Sequence, residues 1–129
     1  MILINQNMKF LLDTNFLMIP GKFKVDVFEE LKKFGKPEFF TLSSVVKELE
    51  NLSSGKGKNS KYARIGLQLL EKNKVKILSA AKDVDSEILN FAEKQEFVIC
   101  TLDKELKNRA VSKGIKVVFL RQKKYLDIK

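Results

Sequence analysis

Short apolar runs alternate along the chain with segments whose apolar residues recur at helical spacing. The runs are Phe10-Leu11-Leu12, Phe39-Phe40, Val75 to Leu78, Phe97-Val98-Ile99-Cys100 and Val117 to Leu120. Several are continuous rather than alternating, the pattern of strands covered on both faces. Between them, Val25 to Phe34 places Val27, Phe28 and Leu31 on one side, and Val45 to Leu52, Tyr62 to Leu70, Val84 to Glu93 and Leu102 to Lys113 also repeat as helices. Gly114 suits the end of the last helix. Strand and helix in alternation imply parallel βαβ units. The expected fold is α/β, a three-layer α/β/α sandwich around a central parallel sheet of about five strands. No repeat or boundary divides residues 1–129, so one domain is expected, with residues 1–7 a dispensable extension because Met8 starts a cleaner strand. One stretch breaks the rhythm: residues 53–61, rich in Ser, Gly and Lys, are expected to form a mobile basic loop.

Composition narrows the chemistry. Histidine is absent and cysteine occurs once among 129 residues. Catalytic sets built on histidine are therefore excluded, as are histidine-bound zinc, internal disulfides and CxxC metal knuckles. Any metal ligands must be oxygens, which select hard cations such as magnesium or manganese. Twenty-five Lys and Arg against sixteen Asp and Glu give a net charge of +9. Such a balance reads either as a solvated surface or as attraction to polyanions, nucleic acid first. Asn5, Gln6 and Asn7 interrupt the apolar start, so no signal-peptide core forms. No apolar run approaches the roughly 20 residues of a membrane span. A cytoplasmic location and no membrane partner are expected.

In open parallel sheets, ligands bind beyond the carboxyl ends of the strands. Asp13 follows the first run directly, with Thr14 and Asn15 behind it, and Thr101 and Asp103 follow Cys100. Each of these residue types also caps helices and turns, and taken singly each is better read that way. The helical acids can be placed by angle at roughly 100° per residue. Glu48 flanks the stripe of Val45, Leu49 and Leu52. Asp85 lies beside Ala92 at the edge of the stripe of Val84, Ile88, Phe91 and Ala92, with Asp83 as N-cap. Asp103 lies beside Ala110, next to Leu102 and Leu106. Acids are ordinarily kept from such edges, because unpaired burial is costly. If Asp13, Glu48, Asp85 and Asp103 converge, they raise one another's pKa. One or two divalent cations would relieve that repulsion and could stabilise charge on a phosphoryl oxygen.

Leu11-Leu12-Asp13-Thr14-Asn15-Phe16-Leu17-Met18, Val45-Val46-Lys47-Glu48-Leu49, Val84-Asp85-Ser86-Glu87-Ile88-Leu89 and Thr101-Leu102-Asp103-Lys104-Glu105-Leu106, in this order, resemble the PIN-domain family. The stretch from Pro20 to Glu29 is most similar to its archaeal branch related to small-subunit ribosomal RNA processing nucleases. The resemblance implies a metal-dependent endoribonuclease acting on single-stranded RNA, ribosomal RNA among the candidates, with Mg²⁺ or Mn²⁺ as cofactor, one ion or two. Asp13, Glu48, Asp85 and Asp103 are its catalytic and metal-binding acids, Glu48 either binding metal or orienting the water. Thr14, Asn15 and Thr101 match the supporting polar positions. The resemblance also admits a homodimer and a controlling antitoxin or ribosome-assembly partner. Two positions depart from the pattern: Ser86, where many members have a second acid, and Leu102, where the family often has Asn.

Other α/β enzymes of this size fit less well. A haloacid-dehalogenase-type phosphatase needs Asp-x-Asp where Asn15 holds the second position. A receiver domain needs a strand ending in Asp near mid-chain, and Gly55-Lys56-Gly57-Lys58 lacks the spacing of a P-loop. The alternative from another class is a non-catalytic RNA-binding or ribosome-assembly module that keeps the fold. Lys56, Lys58, Lys61 and Arg64 form one candidate nucleic-acid patch and Arg121, Lys123 and Lys124 a second, beside Tyr62 and Tyr125, which could stack on bases. Cys100 is expected in the core, and Phe16 and Phe23 could serve a dimer face.

Overall fold

The computed structural model describes residues 6–80 and 84–129. Strand β1 (Asn7–Leu12) leads into two short helices, α1 (Thr14–Leu17) and α2 (Ile19–Phe23), then α3 (Val27–Leu31) and a 3₁₀ turn (Lys32–Phe34). Strand β2 (Lys36–Leu42) is followed by a helical hairpin, α4 (Ser43–Ser53) and α5 (Lys58–Lys72), and by β3 (Lys76–Leu78). Helix α6 (Val84–Gln95), β4 (Val98–Cys100), α7 (Lys104–Ser112), β5 (Val117–Arg121) and β6 (Tyr125–Ile128) complete the chain. All five expected strands are present. Asp83 and the first five residues lie outside the described residues, as does the side chain of Val84.

The sheet has the order β3-β2-β1-β4-β5-β6. The first five strands are mutually parallel and β6 runs antiparallel to β5. From β1 the chain winds outward through β2 to β3, then returns to β4 and winds the other way. Right-handed crossovers then put α1 to α5 on one face and α6 and α7 on the other. Winding reverses between β1 and β4, which creates a crevice at their carboxyl ends. Those central strands carry the core: Phe10, Leu11, Leu12, Ile99 and Cys100 are fully buried. Two buried polar groups are satisfied locally, Thr41 donating to the Leu12 carbonyl at 2.6 Å and the Asp13 N–H to the Cys100 carbonyl at 3.0 Å.

Three expectations change. The basic stretch is mostly helical: α5 begins at Lys58, so only residues 54–57 bridge the hairpin, and Lys58, Lys61 and Arg64 project from a helix. Helix α5 packs on α4 and also meets α1 and α2, burying Ser60, Ala63, Gly66 and Leu70 along one side, so the buried stripe begins within the polar start of the segment. Phe16 is fully buried within the chain and cannot serve a dimer face; Phe23 is half-buried. Strand β6 is additional to the sequence reading. Its hairpin turns on Gln122 and Lys123, both left-handed (φ 55° and 56°), with Lys124 N–H donating to the Arg121 carbonyl. Successive left-handed residues in a hairpin turn favour Asn-Gly, so Gln-Lys in this three-residue connection gives no turn signal. Among the described residues, no helix is long and apolar enough to cross a membrane.

Candidate active site

The carboxyl ends of β1 and β4 deliver two acids to the crevice. Asp13 ends β1 as N-cap of α1: its Oδ1 accepts the Thr14 N–H at 2.9 Å. Asp103 is the N-cap of α7, its Oδ1 accepting from the N–H groups of Glu105 at 2.9 Å and Leu106 at 3.3 Å. The capping reading of both residues is therefore correct, and it leaves acceptor capacity unused. A carboxylate has about four lone-pair sites, and Asp103 Oδ2 accepts no hydrogen bond among the described residues.

Thr101 ties these two acids together. Its hydroxyl donates to Asp13 Oδ2 at 2.7 Å and accepts the Asp103 N–H at 3.1 Å. Asn15 holds the same loop from below, its Oδ1 accepting the Leu102 N–H at 3.0 Å. That bond uses the backbone of residue 102, so leucine in place of asparagine leaves it intact. Thr14 reaches the other way and donates to Glu48 Oε1 at 2.6 Å. All three polar residues singled out in the sequence are thus engaged with the acids or the loop that carries them.

Glu48 sits on α4 on the flank of Val45 and Leu49, as its azimuth predicts, and is exposed. Asp85, in the first turn of α6, is half-buried. Asp13, Glu48, Asp85 and Asp103 all line one open cleft, together with Thr14, Asn15, Met18 and Leu52. Met18 and Leu52 were not foreseen there. Leu52 was expected in the buried stripe of α4, yet it is 36% exposed. It lies four residues beyond Glu48, hence one turn along the same face.

The electrostatics follow from this crowding. Burial is the main reason the Asp13 carboxyl is held above its ordinary range, and the charges of Asp85 and Glu48 add to the shift. Hydrogen bonds from Thr101 and Thr14 oppose it. The buried Cys100 thiol nearby is pushed far up by burial and by Asp13, which makes it an inert core group. Among the described residues, no three carboxyl groups converge as tightly as a closed ion cage. They form the walls of an open cleft instead. Their chemistry fits a hard divalent cation: every candidate donor is oxygen, and Asp13 is destabilised by neighbouring negative charge that a cation would neutralise.

Fold and cleft define a class, an α/β domain that gathers carboxylates at the crossover point of its sheet. The chain belongs to the PIN like domain family, whose sequence pattern matches residues 10–123. It is 38% identical over 113 residues to Ribonuclease VapC9 of Archaeoglobus fulgidus, covering 87% of this chain and 82% of that protein. It is 36% identical over 126 residues to Ribonuclease VapC4 of Methanocaldococcus jannaschii, covering 93% and 95%. Among solved structures, the PIN domain endonuclease Utp24 shares the fold with a TM-score of 0.78 and 23% identity, over 94% of this chain and 90% of that one.

Proposed function

We propose that this chain is a single-domain, metal-dependent endoribonuclease that hydrolyses phosphodiester bonds in single-stranded RNA of the cytoplasm. The observation that carries the reading is the meeting of Asp13, Glu48, Asp85 and Asp103 in one cleft from four separate segments. Kinship with two proteins named ribonucleases supports it. Asp13, Asp85 and Asp103 would hold Mg²⁺ or Mn²⁺, one ion or two, and the bound ion would acidify a water and neutralise charge on the phosphoryl oxygen.

The remaining work falls to the protein. Thr101 holds the Asp13 carboxylate and the Asp103 backbone through one hydroxyl. Thr14 holds Glu48 at the cleft wall, where its carboxylate would bind the ion or take a proton from the attacking water. Met18 and Leu52 supply apolar walls beside the acids, which suit the face of an unstacked base and favour single strands over duplexes. Lys56, Lys58, Lys61 and Arg64, exposed around the start of α5, would hold phosphates with little sequence preference. Ribosomal RNA is the favoured substrate, on the likeness of residues 20–29 to the archaeal processing branch. A homodimer and a controlling antitoxin or ribosome-assembly partner complete the reading.

Incubation with single-stranded RNA and Mn²⁺ tests the proposal. Cleavage should occur, stop with EDTA, and fall by at least about 100-fold in Asp13→Asn, more than loss of an outer-shell group typically costs. An Asp13→Asn variant that cuts at the wild-type rate would show the site to be misassigned. Binding without cleavage across a range of metal concentrations would identify an RNA-binding module instead.

A further inference from the structure

The sequence groups Arg121 with its neighbours Lys123 and Lys124, but the fold regroups it. Strands β5 and β6 pair Phe119 with Asp127 and Arg121 with Tyr125, and Lys129 exchanges both backbone hydrogen bonds with Val117. Paired residues project from the same face of a sheet, so Phe119, Arg121, Asp127 and Lys129 share one. Helix α7 covers that face: Lys107 Nζ stands 3.5 Å from the centre of the Phe119 ring, and the Arg121 guanidinium carbon is 5.6 Å from it. Lys104 lies one turn before Lys107 on α7 and directly follows Asp103 of the acid cleft.

Four cations therefore crowd one surface that begins at the cleft. Arg121 pairs with Asp127 at 3.1 Å. Among the described residues, Lys104, Lys107 and Lys129 make no ion pair, whereas Lys32, Lys33, Lys76 and Lys113 each have a glutamate. The crowding is felt at Lys107, whose ammonium is held below its ordinary range by burial first and then by the charges of Lys129, Arg121 and Lys104, with Asp127 opposing. Four cations gathered around one acid, Asp127, leave an excess of like charge that costs stability and raises the local potential. A polyanion reverses that cost.

We propose that α7 and the β5–β6 hairpin form a phosphate track for single-stranded RNA, in which Lys104, Lys107, Arg121 and Lys129 hold the strand as it leaves the acid cleft. The occupant is the RNA backbone, because what the surface gathers is positive charge, with Lys107 and Arg121 set about the Phe119 ring. The inference rests on the ribonuclease reading for its direction, since the track starts beside Asp103. It is separate from the patch at the start of α5. Phe119 acts as the seat of Lys107, since an ammonium over an aromatic face is held by the ring quadrupole.

The test is the binding of a fluorescent 12-nucleotide oligouridylate in EDTA, read by anisotropy across a salt series, so that no cleavage is required. The triple variant Lys107→Gln, Arg121→Gln, Lys129→Gln removes three contacts. The slope of log affinity against log salt should shrink by about 2, and affinity should fall by on the order of 10-fold or more at low salt. An unchanged slope overturns the track and leaves the nuclease reading standing. A wild-type chain that binds with this slope but never cleaves has the opposite meaning. Should the variant fold poorly, wild-type protein serves: oligouridylate should protect Lys104, Lys107 and Lys129 from amine acylation, and unprotected lysines there overturn the proposal.

Discussion

Thr101 is the residue on which the cleft geometry turns. It is 1% exposed and its single oxygen serves two acids from two strand ends. Thr101→Val keeps the shape and removes both hydrogen bonds, leaving Asp13 Oδ2 and the Asp103 N–H without their partner. RNA cleavage in Mn²⁺ should drop roughly 10- to 100-fold, with a raised metal requirement. Thr101→Ser keeps the hydroxyl and should recover most of the activity. Equal rates in the valine and serine variants would show that the hydroxyl does not position the acids. Asp13 and Asp103 were legible in the sequence because each follows a run of buried strand residues. Leu52 was not, because an apolar residue on the buried side of a helical wheel looks the same whether the helix is covered there or ends at a cleft.

At the scale of elements, the β5–β6 hairpin shows where pattern reading stops. Tyr125–Ile128 holds only four residues, and its turn places Gln122 and Lys123 in the left-handed region, which costs an ordinary residue roughly 1–2 kcal/mol. What overrides that cost is tertiary. The buried Leu126 joins the core, and its N–H donates to Glu30 Oε1 of α3 at 3.0 Å, which holds the Glu30 carboxyl below its ordinary range. Replacing the turn by Gln122→Asn with Lys123→Gly should stabilise the protein by about 1 kcal/mol or more in urea melts. A decrease would mean that the left-handed pair is not strained. The helical hairpin gives the converse lesson. Serine, glycine and lysine mark residues 53–61 as a loop, yet Ser60 and Ala63 are buried as α5 packs on α4, and packing overrides the weak local signal. Gly66 is required where the same helix passes α1: a Cβ there would stand 2.9 Å from the Leu17 carbonyl oxygen.

For the whole molecule, the ionised form of Asp13 opposes folding, because burial and neighbouring acids disfavour its charge. The Asp13 carboxyl titrates above its ordinary value of 3.8. The stability linked to its protonated form is fully present below that value and is lost as pH rises through the raised one. A divalent ion held there as proposed would act in the opposite sense, since it would bind the ionised form and only the folded chain assembles the acids. Mn²⁺ at roughly one hundred times its Kd should stabilise the chain at pH 7 by about 2.7 kcal/mol, on the order of 10 °C in melting temperature. The shift should shrink as pH falls through the raised Asp13 value and be largely lost in Asp13→Asn. The same shift at pH 4 and pH 7 would mean that the ion binds elsewhere.

The sequence alone determined the alternation of strands and helices, the exclusion of histidine-based chemistry and internal disulfides, and the four acids as candidates, because burial periodicity and residue chemistry are local properties. Tertiary structure decided the rest: that Thr101 bridges two acids, that Leu52 and Met18 line their cleft, and that Arg121 belongs with Lys104, Lys107 and Lys129. Those groupings arise where the winding of the sheet reverses and where an antiparallel edge strand folds back under α7. They depend on which strands are neighbours, which no local periodicity encodes.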